Sequence, residues 1–376
     1  MGLRELREEL DRLDQEIVRL YTERLSVCGA VARDKLRTGK AVLDPERERQ
    51  KLSAVEALAE SDFEKKAVRE LYRQLMTVSR RLQLGILQEA GRGTELPFRE
   101  LPELPKRQKT VAYQGIEGAY AYLAAREAFG ADAAFRAAES WREGMELVRS
   151  GEADYMVLPI ENSSHGAVYD NLDLLLEYPE LVIQEEIDLP VEHALIAAEG
   201  AVLSGIRRVY SHPQALGQCR SFFRAHSEIT AVPAENTALA AKLVAESGDL
   251  SAAALASETA AALYGLRILQ RRVNQERSNT TRFLVLGAEH VYRRGAGKVS
   301  IFFETGHHPG ALYNILGNFL FNDVNMRMIQ SRPIPDKPFE YRFFADIEGK
   351  LSEDKVRNAL NGIAQETAAF RILGCY

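Results

Sequence analysis

Cysteine, tryptophan and an excess of positive charge are what this sequence has least of. Its three cysteines, Cys28, Cys219 and Cys375, are odd in number, far apart and in no metal-like spacing. That excludes a disulfide framework and fits a reducing compartment. The net charge of −6 leaves no global basic field to favour nucleic acid, so an anionic ligand must be caught by local cations. No apolar run approaches the length of a membrane span. The amino terminus, Met1-Gly2-Leu3-Arg4-Glu5-Leu6, is charged from the start and lacks a secretory apolar region. A cytoplasmic location is the expectation. What is present is ordinary for a globular protein, 46% hydrophobic and 27% charged residues. The 376 residues are too many for one core and imply two or three domains.

Residues 3 to about 36 read as one long helix. Leu3, Leu6, Leu10, Leu13, Ile17 and Leu20 recur in steps of three and four, the seam of a helix packed on other helices. The next seam position is Arg24, after which Val27 and Val31 resume the pattern. A cation on an apolar stripe is costly unless paired or liganded. Lys35 lies eleven residues beyond Arg24, close to a whole number of turns, so the two share a face at roughly 16 Å. Long side chains from both can converge on a small anion. Arg7 is roughly 25 Å from Arg24 along the axis and would serve such a site only in a partner subunit. Asp44-Pro45 marks a second helix start, followed by Arg47 and Glu48. A third helix spans about Phe63 to Gln88, with Val68, Leu71, Leu75, Val78 and Leu82 on one stripe. Ser79 and Gln83 lie together beside it, and alone would be ordinary surface polars.

Taken together, residues 3 to about 88, including Leu13-Asp14, resemble the helical chorismate mutases. The resemblance implies an all-α domain in an interlocked homodimer. It places site residues at Arg7, Arg24, Lys35, Asp44, Arg47, Glu48, Ser79 and Gln83. Arg7 and Arg24 would clamp the two carboxylates of chorismate. Lys35 and Gln83 would donate to the breaking ether oxygen, and Glu48 with Asp44 would orient the ring hydroxyl and the cations. A pericyclic shift needs no nucleophile, only the reactive conformer and stabilised charge.

Gly91 to Lys106 holds Gly91, Gly93, Pro97, Pro102 and Pro105 among charges, a linker composition. From Thr110 strands alternate with helices, an α/β arrangement. Four polar clusters stand at strand ends. They are Pro159-Ile160-Glu161-Asn162-Ser163-Ser164-His165-Gly166, Ser211-His212-Pro213-Gln214, Glu235-Asn236-Thr237-Ala238, and Ser278-Asn279-Thr280-Thr281-Arg282-Phe283 before the buried-strand run Leu284-Val285-Leu286. Each alone reads first as helix or turn capping. His165 and His212 are not at metal-ligand spacing, so neither metal nor cofactor is expected.

As an ordered set ending in Thr281-Arg282-Phe283, these clusters are similar to the prephenate dehydratases, across residues 110 to about 290. The resemblance implies two α/β lobes of the type-2 periplasmic-binding-protein kind, with the chain crossing near Pro190 and returning near Asn274. It makes Thr281 the proton donor, aligned by neighbours such as Asn162, Ser211 and Gln214. Ser163, Thr237 and Phe283 complete the expected set, while Arg282 either binds a carboxylate or points into the structure. Amides of Gly115 to Gly118 and Ser211 to Gln214 are further carboxylate candidates. Where relatives often carry Ser around the Tyr of the first turn, this chain has Ala119-Tyr120-Ala121.

Strands and helices after Lys298 follow the order βαββαβ, a ferredoxin-like pattern. His307 and His308 read as solvated turn residues. Gly310-Ala311-Leu312 and Gln330-Ser331-Arg332-Pro333 resemble the two phenylalanine-binding motifs of ACT regulatory domains, with Gln330 where the family usually has Glu. The expectation is therefore a helical domain over 1–90, a linker over 91–108, a two-lobed domain over 109–291 and an ACT domain over 296–376. The chain would take chorismate through prephenate to phenylpyruvate and be inhibited by phenylalanine. Two rivals stand beside this. One keeps only the dehydratase, with the helices as a dimerisation arm. The other is a non-catalytic, amino-acid-sensing binding protein.

Overall fold

The structure is a computed structural model describing residues 2–92, 96–276 and 278–376. Met1 of the charged amino terminus and Gly93 of the expected linker lie outside them. Three helices open the chain, α1 (Leu3–Thr38), α2 (Pro45–Glu56) and α3 (Asp62–Glu89). Helix α1 ends at Gly39, whose positive φ of 72° lets its N–H turn back onto Lys35 O at 2.8 Å. Asp44 caps α2 by accepting from Arg47 N at 3.0 Å, and Ser61 with Glu64 forms a reciprocal cap on α3. The seam of α1 faces outward. Leu3, Leu6, Leu10, Leu13, Ile17 and Leu20 are all at least 41% exposed. The stripe expected on α3 is also only half right. Leu71 is exposed, and the buried positions are Met76, Thr77, Ser79, Gln83 and Leu84. Among the described residues no helix is long and apolar enough to cross a membrane.

Next come β1 (Arg99–Leu101), β2 (Thr110–Gln114), α4 (Tyr120–Phe129), β3 (Ala134–Ala138), α5 (Trp141–Arg149), β4 (Tyr155–Asn162), β5 (Gly166–Ala167), α6 (Tyr169–Glu177) and β6 (Val182–Pro190). The chain then builds a second lobe from β7 (Ala194–Ala197), β8 (Arg208–Ser211), α7 (Pro213–Gln218), α8 (Arg220–Ala225), β9 (Thr230–Pro233), α9 (Thr237–Ser247), β10 (Ala252–Ala256), α10 (Glu258–Leu263) and β11 (Arg267–Gln270). It returns through β12 (Thr280–Gly287) and β13 (Val291–Arg293). Strand β1 lies inside the stretch read as linker and pairs in parallel with β13. Three residues are too few to show a period.

The first-lobe sheet runs β6-β12-β4-β2-β3, with β12 antiparallel to both neighbours. Val111, Tyr113, Val157, Ile187, Phe283 and Val285 pack on α4. The second lobe runs β11-β7-β10-β8-β9. Its central strands are buried on both faces. Leu195, Ala253 and Leu255 face one core, while Ile196, Ala254 and Ala256 face the other, the period of two that a strand imposes. The two crossing segments lie side by side, with Val191 N on Asn279 O and Val273 N on His193 O, each at 2.8 Å.

The carboxyl-terminal module consists of β14 (Lys298–Glu304), α11 (Ala311–Phe321), β15 (Met326–Ile334), β16 (Lys337–Glu348), α12 (Asp354–Glu366) and β17 (Ala369–Cys375). Its strand order β15-β16-β14-β17 is ferredoxin-like. By internal contacts the chain divides into two compact units. One joins residues 1–97 to 297–372, and the other holds 98–296 with the last four residues. The helices and the carboxyl-terminal module, expected as separate domains, thus pack as one body.

Candidate active sites

In the helical unit, Arg24 interrupts the apolar seam because α3 supplies partners for it. Its Nη1 donates to Ser79 Oγ at 2.5 Å and Leu75 O at 3.2 Å. Ser79 passes its own hydrogen to Leu75 O at 2.6 Å. One turn on, Gln83 Nε2 donates to Ser79 O at 3.2 Å, leaving Oε1 buried without a protein partner. Ser79 and Gln83 are 4% and 7% exposed, so they are not the surface polars their spacing alone suggested. Lys35 Nζ donates to Val42 O at 2.7 Å. Burial holds its ammonium below the ordinary lysine range, against the fields of Asp44, Glu48 and Cys28. Glu48 pairs with Arg80 at 2.5 Å. Arg24, Lys35, Asp44, Glu48, Ser79 and Gln83 are thus drawn from three helices onto one side of α1. Arg7 and Arg47 are exposed, and the helix axis keeps Arg7 roughly 25 Å from Arg24.

In the second unit the register pairs Thr281 with Asn162 on β4 and Leu189 on β6. Asn162 Nδ2 donates to Thr281 Oγ1 at 2.9 Å and to Asn279 Oδ1 at 2.8 Å. Its Oδ1 receives Ser164 N at 3.1 Å and meets His165 Nδ1 at 3.2 Å. The network runs on through Asn279 Nδ2 to Gln218 Oε1 at 3.2 Å, from Gln218 Oε1 to His193 Nε2 at 2.9 Å, and from His193 Nδ1 to Tyr120 at 3.0 Å. Ser163 stitches the strand mouth, accepting from Thr280 N at 3.0 Å and donating to Ser278 O at 3.1 Å. The arrangement holds the Thr281 hydroxyl by a side-chain amide donor. Its own hydrogen is left to point elsewhere.

The profile of the prephenate dehydratase family matches residues 111–291, and that of chorismate mutase type II matches residues 6–84. A bifunctional chorismate mutase/prephenate dehydratase of Aquifex aeolicus is 33% identical over 379 residues, covering 100% of this chain and 97% of the relative. The chain belongs to the bifunctional chorismate mutase/prephenate dehydratase family. Among solved structures, a prephenate dehydratase of Arthrobacter aurescens in complex with L-Phe is 33% identical with a TM-score of 0.66, covering 71% of this chain and 89% of that one. A protein described as a novel type of quorum quenching acylase is 32% identical with a TM-score of 0.64, covering 71% of this chain and 97% of that one.

The other residues expected in the second site of this bifunctional family occupy several environments. Arg282 does not join Thr281. Neighbouring residues of a strand point to opposite faces, and on the far face Arg282 lies 3.8 Å from both Glu161 and Glu186. Phe283 is 2% exposed and belongs to the first-lobe core. Ser211 is fully buried, and its hydroxyl hydrogen is donated to Leu255 O at 2.6 Å and so is not offered to Thr281. Gln214 is exposed at the start of α7, its N–H on His212 Nδ1 at 3.2 Å. Thr237 is buried at the first turn of α9, where Asn236 makes the cap at 2.7 Å. The turn at Gly115–Gly118 touches the second lobe. Tyr264 hydroxyl donates to Glu117 O at 2.7 Å, and the Gly118 φ of 88° brings its backbone against Ala260.

Sequence reasoning placed Asn279 in a strand-end cluster without giving it a role, and missed Gln218, His193 and the role of Tyr120. None sits in a periodic pattern, and the bonds among them close over long chain separations. Tyr120 hydroxyl donates to Glu192 O at 2.7 Å, and burial raises its pKa, so it stays protonated. A neutral His193 ring with its proton on Nε2 donates to Gln218 Oε1, while its Nδ1 lies 3.0 Å from a Tyr120 oxygen whose single hydrogen is on Glu192 O. Burial lowers its pKa, with the Gln218 bond opposing. The proton is therefore bound more readily by the unfolded chain, and stability is full above the unfolded value of about 6.5 and declines as pH falls below it. The stability of the dehydratase unit should drop through that window, by up to about 1.4 kcal/mol per pH unit, and its thermal midpoint should fall with it. A His193→Gln variant should lose part of the dependence. An unchanged slope in differential scanning calorimetry would assign the acid sensitivity to other groups.

Proposed function

We propose that this chain catalyses two successive steps. The helical unit rearranges chorismate to prephenate, and the two-lobed unit converts prephenate to phenylpyruvate. The observation that carries the reading is the convergence of Arg24, Lys35, Ser79, Gln83 and Glu48 on one side of α1. A seam that served only dimerisation would have no use for cations held in place by buried polar partners. In the first step, Arg24 and a partner's copy of Arg7 clamp the substrate carboxylates. Lys35 and Gln83 donate to the ether oxygen as the C–O bond breaks and the new C–C bond forms. The exposed apolar seam of α1 supports a homodimer in which that Arg7 crosses over.

In the second step the ring C–carboxylate bond breaks, the carboxylate leaves as CO2, and the electron pair of that bond moves into the ring. The C4 hydroxyl departs as water after taking a proton, for which Thr281 is the donor. Asn162 donates to the same oxygen and so stabilises the charge left on it.

The ferredoxin-like module supports regulation by phenylalanine. Gly310, at a φ of 82°, Ala311 and Leu312 border a hollow of about 510 Å³ that runs from Thr305 to Tyr313. Gln330, Ser331 and Arg332 lie instead on β15, at the sheet edge, and would meet this motif across a subunit boundary. We place the chain in the cytoplasm, Cys28, Cys219 and Cys375 being thiols. The test is a chorismate time course on the purified full chain, with and without phenylalanine. Phenylpyruvate should form without added mutase, and more slowly with phenylalanine. Consumption of prephenate but not chorismate would reduce the helices to a structural arm. Inertness toward both would favour the sensing protein.

A further inference from the structure

Arg80 lies on α3, next to Ser79 but turned away from Arg24, with its side chain 13% exposed. Its Nη1 holds Glu48 of α2 at 2.5 Å, and its Nη2 holds Thr77 Oγ1 at 3.1 Å and Glu366 of α12 at 2.6 Å. Glu366 in turn receives Asn318 Nδ2 of α11 at 3.3 Å, and Asn318 Oδ1 receives Arg81 Nε at 3.1 Å. Arg81 stacks over Phe321, and Asn361 of α12 reaches Gln88 of α3 at 3.3 Å. One planar guanidinium therefore joins a carboxylate of the mutase cluster to one on the last helix of the carboxyl-terminal module. The planar Arg fork holds partners on α2, α3 and α12 in one fixed geometry.

The use of this contact follows from what Glu48 would otherwise do. Lys35 feels the field of Glu48, and no other cation pairs with that carboxylate among the described ion pairs. Released from Arg80, Glu48 would turn toward Lys35 and neutralise the ammonium intended for the ether oxygen. We propose that Arg80 is a positioning residue for the mutase reaction, holding Glu48 off Lys35, and that Glu366 makes this hold depend on the carboxyl-terminal module. The inference rests on the mutase assignment of Glu48 and Lys35 made above. It implies that the mutase responds to the packing of α12 and α11, whose amino end carries Gly310–Leu312.

The experiment uses the full chain with Arg80→Ala, Arg80→Lys, Glu366→Gln and Glu48→Gln, measuring mutase kcat and KM separately. Dehydratase turnover and circular dichroism report on folding. Arg80→Ala should lower mutase kcat on the order of a hundredfold with KM changed by less than about threefold, as expected for misaligned rather than lost groups. Arg80→Lys should recover part of the loss. Glu366→Gln should lower kcat by about fivefold, the scale of an ordinary intersite coupling. Dehydratase turnover should stay at the parent level in all of them. A folded Arg80→Ala with parent mutase kcat, beside a damaged Glu48→Gln, would overturn the positioning role alone. If Glu48→Gln were also silent, the site reading would fall with it. Parent kcat in Glu366→Gln would overturn the dependence on the module. Should Arg80→Ala fail to fold, the Lys variant decides, since a structural role predicts full recovery of kcat with folding.

Discussion

Arg24→Ala is expected to lower mutase kcat/KM on the order of a thousandfold, the scale of removing a charged donor from a preorganised site. Dehydratase turnover should be untouched. Nη1 of Arg24 is spoken for by Ser79 and Leu75 O, and this fixes the plane of the guanidinium and aims its remaining N–H groups. Those groups are what a planar carboxylate needs, and a half-buried position strengthens the pair. Arg24→Lys should recover little, because a point charge cannot keep Ser79 and a bidentate carboxylate together. The measurement is the disappearance of chorismate in a variant whose dehydratase still consumes added prephenate. Parent-like chorismate turnover would remove Arg24 from the site and revive the structural-arm reading.

Thr281→Ala should reduce dehydratase kcat by about a hundredfold to a thousandfold, within the span of general acid catalysis, with mutase activity unchanged. A threonine hydroxyl is a weak acid in water. Here the Asn162 amide donates to Oγ1 at 2.9 Å and is itself anchored on Asn279 at 2.8 Å. An oxygen that already accepts one bond is better able to carry the charge left by a departing proton. Thr281→Ser keeps the hydroxyl and should retain a substantial fraction of the rate. Asn162→Ala should fall between the two, since the acid remains but its support is gone. If Thr281→Ala turned over prephenate like its parent, the proton would have to come from another group of the network, with Tyr120, His165 and His193 next to be tested.

Much of this was legible in residue order. Periods of three and four marked α1 and α3, Asp44-Pro45 marked the start of α2, and the apolar run Leu284-Val285-Leu286 marked a buried strand. Arg24 was visible because a cation broke an apolar stripe, and Thr281 because hydroxyls crowded the mouth of a strand. The errors share one cause. A motif names neighbours along the chain, whereas a strand sends adjacent residues to opposite faces. Thr281, Arg282 and Phe283 thus read as one site, but the pleat sends Arg282 to Glu161 and Glu186, and depth places Phe283 in the core. Ser211 failed for a related reason, because its hydroxyl had a carbonyl to satisfy on β10. Gln218, His193 and Arg80 carried no local signal, since apart from Thr77 beside Arg80 their side-chain partners lie between 25 and 286 residues away.

The second lobe is an insertion between β6 and β12, and this has a consequence for how the protein is made. Strand β6 ends at Pro190 and β12 begins at Thr280, yet β12 lies between β6 and β4. A nascent chain therefore presents two open strand edges while about ninety residues are added, roughly five to twenty seconds at ordinary elongation rates. The edges belong to Tyr155-Met156-Val157-Leu158 and Val182-Ile183, apolar sequences of the kind that recruit stray strands. The strand that closes the gap is also the one that brings Thr281. Until it arrives the ribosome carries an unsealed sheet, and Asn162 at the end of β4 has no Thr281 hydroxyl to hold.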